Sequence, residues 1–223
     1  MTRHRARPVS AERPRNVFVP SRRDPCGTVT FSSASAHVAA IGFGQATATV
    51  DGMKELVLAA ITRVLAVLLL IPAWLRSPGQ ARRLACGWAL SLRFPAENLA
   101  GLTAGTLAAF TAARTEAFWR HRTLLGVTSG HRDAAEQHRL YLAEARLGGK
   151  RVLPPQDSAH VGGTALDIRP REGAQWLEDH GARFALYRIY DNEWWHFEYR
   201  PGEAPPARLP HPGWRMTHSR TSD

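Results

Sequence analysis

Cysteine is scarce in this 223-residue chain: Cys26 and Cys86 are the two present, without metal-ligand spacing, which excludes a cysteine-held zinc site. Nothing in the sequence supports a disulfide between them, and cysteine usage leaves the compartment open. Acidic residues are also short, 19 against 29 Lys and Arg, for a formal net charge of +10. Such an excess is the usual footprint of phosphate binding. Here much of it lies in the amino-terminal tail, the rest is scattered arginine, and no DNA- or RNA-recognition motif accompanies it. Nucleic acid is therefore not an expected partner, and an anionic membrane surface or cell-wall polymer accounts for the charge equally well.

The first fifty or so residues lack an amphipathic pattern. They open with MTRHRARPVSAERPRNVFVPSRRDP, too rich in Arg and Pro to offset ordering entropy by burial, so a disordered basic tail is expected over residues 1–52. An uninterrupted run of membrane length is missing too. LVLAAITRVLAVLLLIPAWL, residues 56–75, is long enough to span a bilayer, but Arg63 breaks it. Its Leu, Ile and Val residues favour insertion by about 4 to 7 kcal/mol, against about 2.5 to 3.5 for one central Arg. The balance predicts a membrane helix or signal anchor over residues 53–78, with Trp74, Arg76, Arg82 and Arg83 as an interfacial border; a buried or surface helix is the alternative. A chain begun at Met53 would read as a signal peptide or anchor, and no A-x-A cleavage site follows. Residues 79–94 read as a linker.

What is present lies further along, in a compact domain over residues 95–203 followed by a loose, Pro- and Arg-rich tail over 204–223. Leu99, Leu102, Leu107, Phe110, Ala113 and Ala117 recur at roughly helical spacing and predict a helix over 97–119. LLGVTSG, residues 124–130, reads as a short buried strand. Asp133 and Glu136 form a capping-box pattern opening a helix that ends at Gly148 and Gly149. This places Arg132 just before a helix amino terminus, an end that favours anions, and Gln137 in the early turns. Residues 165–168 predict a strand, GAQWLEDHG a short helix, and RFALYRIY with WWHFEY a hairpin around Asp191, Asn192 and Glu193. Strands and helices alternating irregularly make the fold class α+β.

Three potential metal ligands stand out in this domain: His160, Asp167 and His196. Zinc accepts imidazole nitrogen and carboxylate oxygen, and a catalytic site keeps a position for water beside three protein ligands. His160 and Asp167 are seven apart, so Gly162 and Gly163 must bend the chain between them. The water needs a proton acceptor, for which Glu193 and Glu198 compete. Glu198 shares a strand face with His196, whereas Glu193 reaches the metal side only from a hairpin turn. Taken singly, each residue has a plainer reading: a hydrogen-bonded structural histidine, a turn-capping aspartate, a solvated arginine. Trp194 and Trp195 fit the core better than a substrate platform, and one is expected to be buried.

Three blocks in order carry a resemblance: TSGHRDAAEQ, residues 128–137; SAHVGGTALDI, which fits S-x-H-x-x-G-x-A-x-D; and EWWHFEY, which fits E-x-x-H. Together these resemble the zinc-dependent D-alanyl-D-alanine carboxypeptidases, the group that includes the vancomycin-resistance D,D-carboxypeptidases and dipeptidases (LAS metallopeptidases). The resemblance implies a hedgehog/D,D-peptidase-like fold, a small antiparallel sheet with flanking helices. It implies Zn2+ held by His160, Asp167 and His196, with Glu193 as general base and then acid. Arg132 would contact the scissile carbonyl or substrate carboxylate, with Gln137, Ser158 and Trp194 on the substrate side.

The implied activity is removal of a terminal D-alanine from peptidoglycan stem peptides by an envelope protein, membrane-anchored or secreted. A D,D-dipeptidase, an L,D-carboxypeptidase, a cell-wall endopeptidase and a noncatalytic wall-binding module are the alternatives. Two departures stand out. His131 occupies a position where many relatives carry Tyr, and the short span from Asp167 to Glu193 predicts an open groove suited to a polymeric substrate.

Overall fold

A computed structural model describes residues 52–149, 151–203 and 206–214. The expected basic tail, with Cys26, lies outside these residues apart from Gly52. The hydrophobic run folds as α1 (Gly52–Leu68) and α2 (Leu70–Arg76), bent by 41° at their junction. Neither alone is long and apolar enough to cross a membrane, though the bent pair has the length and composition to do so. Arg63, the residue that interrupts the run, donates to the carbonyl of Arg122, and Glu55 pairs with Arg93. On the inner side Leu65, Ala66 and Leu69 pack on Cys86, Ala89, Leu90, Phe94, Phe118 and Leu124.

Residues 81–93 are not a linker. They form α3 (Ala81–Arg93), whose Ala85, Cys86, Ala89 and Leu90 are buried on one stripe. The helical period of those small and apolar residues is what the surrounding arginines conceal in a composition-based reading. Cys86 is a free, buried thiol, and burial pushes it up to about 12.

The helix expected over 97–119 begins later, as α4 (Ala104–His121). Gly101 takes φ +78°, and Thr103 caps the helix by accepting from the Thr106 N–H at 3.1 Å. Leu99 and Leu102 still reach the core, but from irregular chain. Leu107 is 39% exposed, and the buried face is instead Thr106, Phe110, Ala113, Arg114, Ala117 and Phe118.

The sheet contains β1 (Gly126–Ser129), β2 (Ala165–Arg169), β3 (Leu186–Arg188) and β4 (His196–Tyr199) in the order β1-β2-β4-β3, every pair antiparallel. With α5 (Ala134–Arg146) and α6 (Arg171–His180) this is an α+β fold. One face of the sheet buries Val127, Leu166, Ile168 and Phe197 against Phe110, Ala113 and Ala117 of α4 and Ala174 and Leu177 of α6. Alternation along each strand sends Asp167, His196 and Glu198 to the other face.

The carboxy-terminal segment is not loose within the described residues. Leu209 donates to the Ile189 carbonyl at 2.9 Å and accepts from the Asp191 N–H at 2.9 Å, while Asn192 N–H donates to Pro210 O at 3.3 Å. Arg188 and Arg208 both pair with Glu178. Residues 206–214 therefore strap the loop joining β3 to β4.

Two glycines hold the ligand-bearing turn against the start of α4. Gly163 has φ +68°, its carbonyl accepts from Thr103 N–H at 3.0 Å, and a Cβ there would stand 2.4 Å from the Gly101 carbonyl oxygen. Gly163→Ala therefore combines left-handed backbone strain of about 1–3 kcal/mol with a backbone clash. Gly148, at φ +75° with nothing within 4 Å of a built Cβ, carries the strain alone. Urea titration is expected to rank Gly163→Ala as clearly more destabilising than Gly148→Ala; equal losses would refute the role of the close approach.

Candidate metal centre and substrate cleft

Strand register builds half of the site. Asp167 of β2 and His196 of β4 are direct cross-strand partners, so their side chains rise together from one face. His160 arrives from a turn rather than a strand: Val161 and Gly162 N–H donate to the Ser158 carbonyl, and Thr164 N–H to Ala159. The Asp167 Oδ1 lies 3.2 Å from His196 Nδ1 and 3.4 Å from His160 Nε2. All three ligand atoms fall within 4.8 Å of one another.

The two separations from Asp167 fit a metal. A tetrahedral ion with bonds of about 2.0–2.1 Å has edges of about 3.3 Å between ligand atoms. The second nitrogens fit as well. His160 Nδ1 lies 2.7 Å from the Gly130 carbonyl, which can only accept, so Nδ1 keeps a proton and Nε2 is the nitrogen free to turn a lone pair to a metal. His196 Nε2 lies 3.2 Å from Glu198 Oε1.

The electrostatics follow from this crowding. Burial opposes the charge of Asp167, yet hydrogen bonds from and the charges of His160 and His196 hold its carboxyl well below the usual range. Burial alone would lower His196; its hydrogen bonds to Asp167 and Glu198 overcome this and push it up to about 9. Glu198 is also disfavoured by burial, but His196 and Arg200 together hold it low.

Glu193 lies in the β3–β4 connection, outside regular strand, the position from which its carboxylate can reach the metal side. It lines the same cleft as the three ligands and interacts electrostatically with His196, Asp167, His160 and Arg132. Burial pushes its carboxyl up, and the Asp167 charge adds to this.

Across the cleft, Arg132 is held from three directions. Its N–H donates to the His160 carbonyl at 3.1 Å, and its guanidinium donates to Gln137 Oε1 at 2.8 Å and Ser129 Oγ at 3.1 Å. Gln137 is buried, and its other amide end donates to Leu153 O at 2.7 Å, so its side chain is committed to orienting Arg132. Asp133 caps α5 by accepting from Ala135 N–H at 2.7 Å; the return bond expected from Glu136 is absent among the described residues.

Ser158 is buried on the cleft wall. The tryptophans divide differently from expectation. Trp195 lines the cleft, whereas Trp194 packs against the core beneath Arg171, at 5.3 Å from its ring centre. Neither is fully buried, and their rings sit edge-on to each other at 90° in the connection.

Ser129, Arg200, Tyr190 and Pro212 also belong to the site or its supports and escaped sequence reasoning. Ser129 ends a strand whose pairing to Asp167 is visible only in the fold. Pro212 reaches the cleft through the carboxy-terminal strap. Arg200 did carry a signal: residues 196, 198 and 200 repeat at the strand period of two.

No family model and no curated protein matches the chain. Solved structures similar to it include a mutant of the vancomycin resistance D,D-pentapeptidase VanY in complex with Zn(II), 21% identical over 44% of this chain and 72% of that one, TM-score 0.39. The LdcB LD-carboxypeptidase is 24% identical over 44% and 65%, TM-score 0.37. DacB from Streptococcus pneumoniae is 23% identical over 47% and 70%, TM-score 0.37.

If His196 is a metal ligand, metal uptake displaces the proton it carries below about pH 9. Zinc affinity is therefore expected to climb from about pH 6 to about pH 9, with proton release visible by calorimetry in buffers of different ionisation enthalpy. An affinity flat across that window would contradict the assignment of His196 as a ligand.

Proposed function

We propose that this chain is a zinc-dependent peptidase that removes the terminal D-alanine from peptidoglycan stem peptides. The observation that carries the reading is the convergence of His160 Nε2, Asp167 Oδ1 and His196 Nδ1 in one cleft with the Glu193 carboxylate and the Arg132 guanidinium. Held by these three ligands, zinc would supply the Lewis acidity that polarises the scissile carbonyl and acidifies water.

The chain's own groups do the rest. Glu193 accepts the proton of the attacking water and returns it to the departing amine of D-alanine; a carboxyl raised by burial suits both halves of that transfer. Arg132, permanently charged and fixed by Gln137 and Ser129, offers its guanidinium to the substrate's terminal carboxylate or to the developing oxyanion. Ser158 and the Trp195 ring complete the substrate wall. D,D-dipeptidase, L,D-carboxypeptidase and endopeptidase activities would use the same groups and differ in the configuration at the scissile bond or in the length of peptide on either side of it.

A noncatalytic wall-binding module would need neither a proton carrier nor an anion partner, which is why Glu193 and Arg132 favour the enzyme. D-alanine release from a stem pentapeptide is expected with zinc and not with a chelator. Glu193→Ala should lower kcat by about 100-fold or more while zinc stays bound, and Arg132→Ala should lower kcat/KM. Undiminished binding of wall peptide by the zinc-loaded wild type, with no release from D,D, L,D or endopeptidase substrates, would instead establish the module.

The substrate class places the domain outside the cytoplasm, and α1 with α2 is the proposed membrane attachment. Leu56, Ile61, Val64, Leu68, Ile71 and Leu75 are exposed there, beside Arg76 and Trp74. In fractionated cells the protein is expected to sediment with membranes, to resist high salt and to be released by detergent; release by salt alone would remove the apolar attachment.

A further inference from the structure

We infer that Glu198, held by Arg200, is a positioning residue that decides which nitrogen of His196 faces the metal. This rests on the metal-site reading above and extends it to residues outside the three proposed ligands. An imidazole can present only one unprotonated nitrogen at a time, and the hydrogen bond made by the other fixes which one. For His160 the Gly130 carbonyl settles the matter at 2.7 Å, because a carbonyl has no proton to give.

His196 has no such built-in answer. Its Nδ1 lies 3.2 Å from Asp167 and its Nε2 lies 3.2 Å from Glu198, so a carboxylate stands at each end of the ring. With Asp167 serving the metal, the proton must remain on Nε2, and Glu198 is the acceptor that keeps it there. His196 and Glu198 are two apart on β4 and rise from the same face, which makes the contact a property of strand geometry.

Arg200 explains how a carboxylate only 6% exposed can be kept in that role. A buried charge without a partner is costly. Both Nε and one terminal nitrogen of Arg200 donate to Glu198 Oε2, at 3.1 and 2.8 Å, leaving Oε1 for His196. The remaining terminal nitrogen donates to Glu203 at 3.3 Å, so the arginine is itself anchored. His196, Glu198 and Arg200 thus form a line running from the metal face to the surface, with one carboxylate oxygen facing each neighbour.

Outer carboxylates of this kind change metal affinity by about 10- to 100-fold when removed. The test uses the full chain loaded with zinc. Competition with a chromophoric chelator gives the zinc affinity of wild type, Glu198→Gln and Arg200→Gln; long-range nitrogen–proton spectra give the His196 Nε2–H resonance. Glu198→Gln is expected to weaken zinc by about 10-fold or more and to move that resonance upfield, leaving the His160 Nδ1–H signal in place. Arg200→Gln, at a partly exposed position, should shift both readouts in the same direction by less, and it supplies the measurement if Glu198→Gln does not fold.

Wild-type affinity and an unmoved resonance in the folded variants would overturn the inference while leaving the metal site intact. A cobalt spectrum that loses a carboxylate ligand in Glu198→Gln would overturn it differently, by making Glu198 a ligand. A wild-type chain that binds no zinc would remove the inference and the metal reading together.

Discussion

The pairing of Asp167 on β2 with His196 on β4 is the contact on which the site depends. It sets two ligand atoms 3.2 Å apart without any loop having to close on them. Because side chains alternate along a strand, a slip of one residue would turn one ligand into the hydrophobic layer and expose Leu166 or Phe197 in its place. The buried pair Leu166 and Phe197, also direct partners, therefore protects the geometry of the candidate site from the opposite face of the same sheet. Packing energy and ligand placement are here two consequences of one register.

The third candidate ligand, His160, and Arg132 depend on a different device, close backbone approach. The turn bearing His160 is held to the start of α4 through Gly163 and Thr103, and to the approach to α5 through the bond from Arg132 N–H to the His160 carbonyl. That bond couples the metal side of the cleft to its substrate side directly. Gln137 then fixes the guanidinium from the first turns of α5, so Arg132 is aimed before any substrate arrives. A charged group oriented in advance loses little on binding, which is the general route by which such sites stabilise developing charge.

Glu193 occupies the least regular part of the site. The connection that carries it is held by β4 on one side and by the carboxy-terminal strap on the other, through Leu209 and Pro210. A strapped loop gives the Glu193 carboxylate a direction toward the cleft that a strand would deny it. The same strap brings Pro212 to the cleft wall. A stretch whose composition reads as a tail is in this way part of the frame of the cleft.

The sequence by itself determined the α+β class, the order of strands and helices over residues 124–199 and the residue types of the candidate site, though the strand expected over 183–190 is confined to Leu186–Arg188. Short-range patterns carry that information: strand alternation around Asp167 and His196, the Asp133 cap, and the turn glycines beside His160. It left the start of α4, the helix at Ala81–Arg93 and the strap unread. In each the deciding contact is distant in sequence: Gly101 against the Gly163 turn, Cys86 and Leu90 against Phe118 and Leu124, Leu209 against Ile189. Only the tertiary structure separates the surroundings of Glu193 from those of Glu198, and those of Trp195 from those of Trp194. Glu198 has the more promising spacing from His196, but its oxygens are taken by the imidazole and Arg200. That allocation depends on which groups meet in space, a quantity spacing along the chain does not contain.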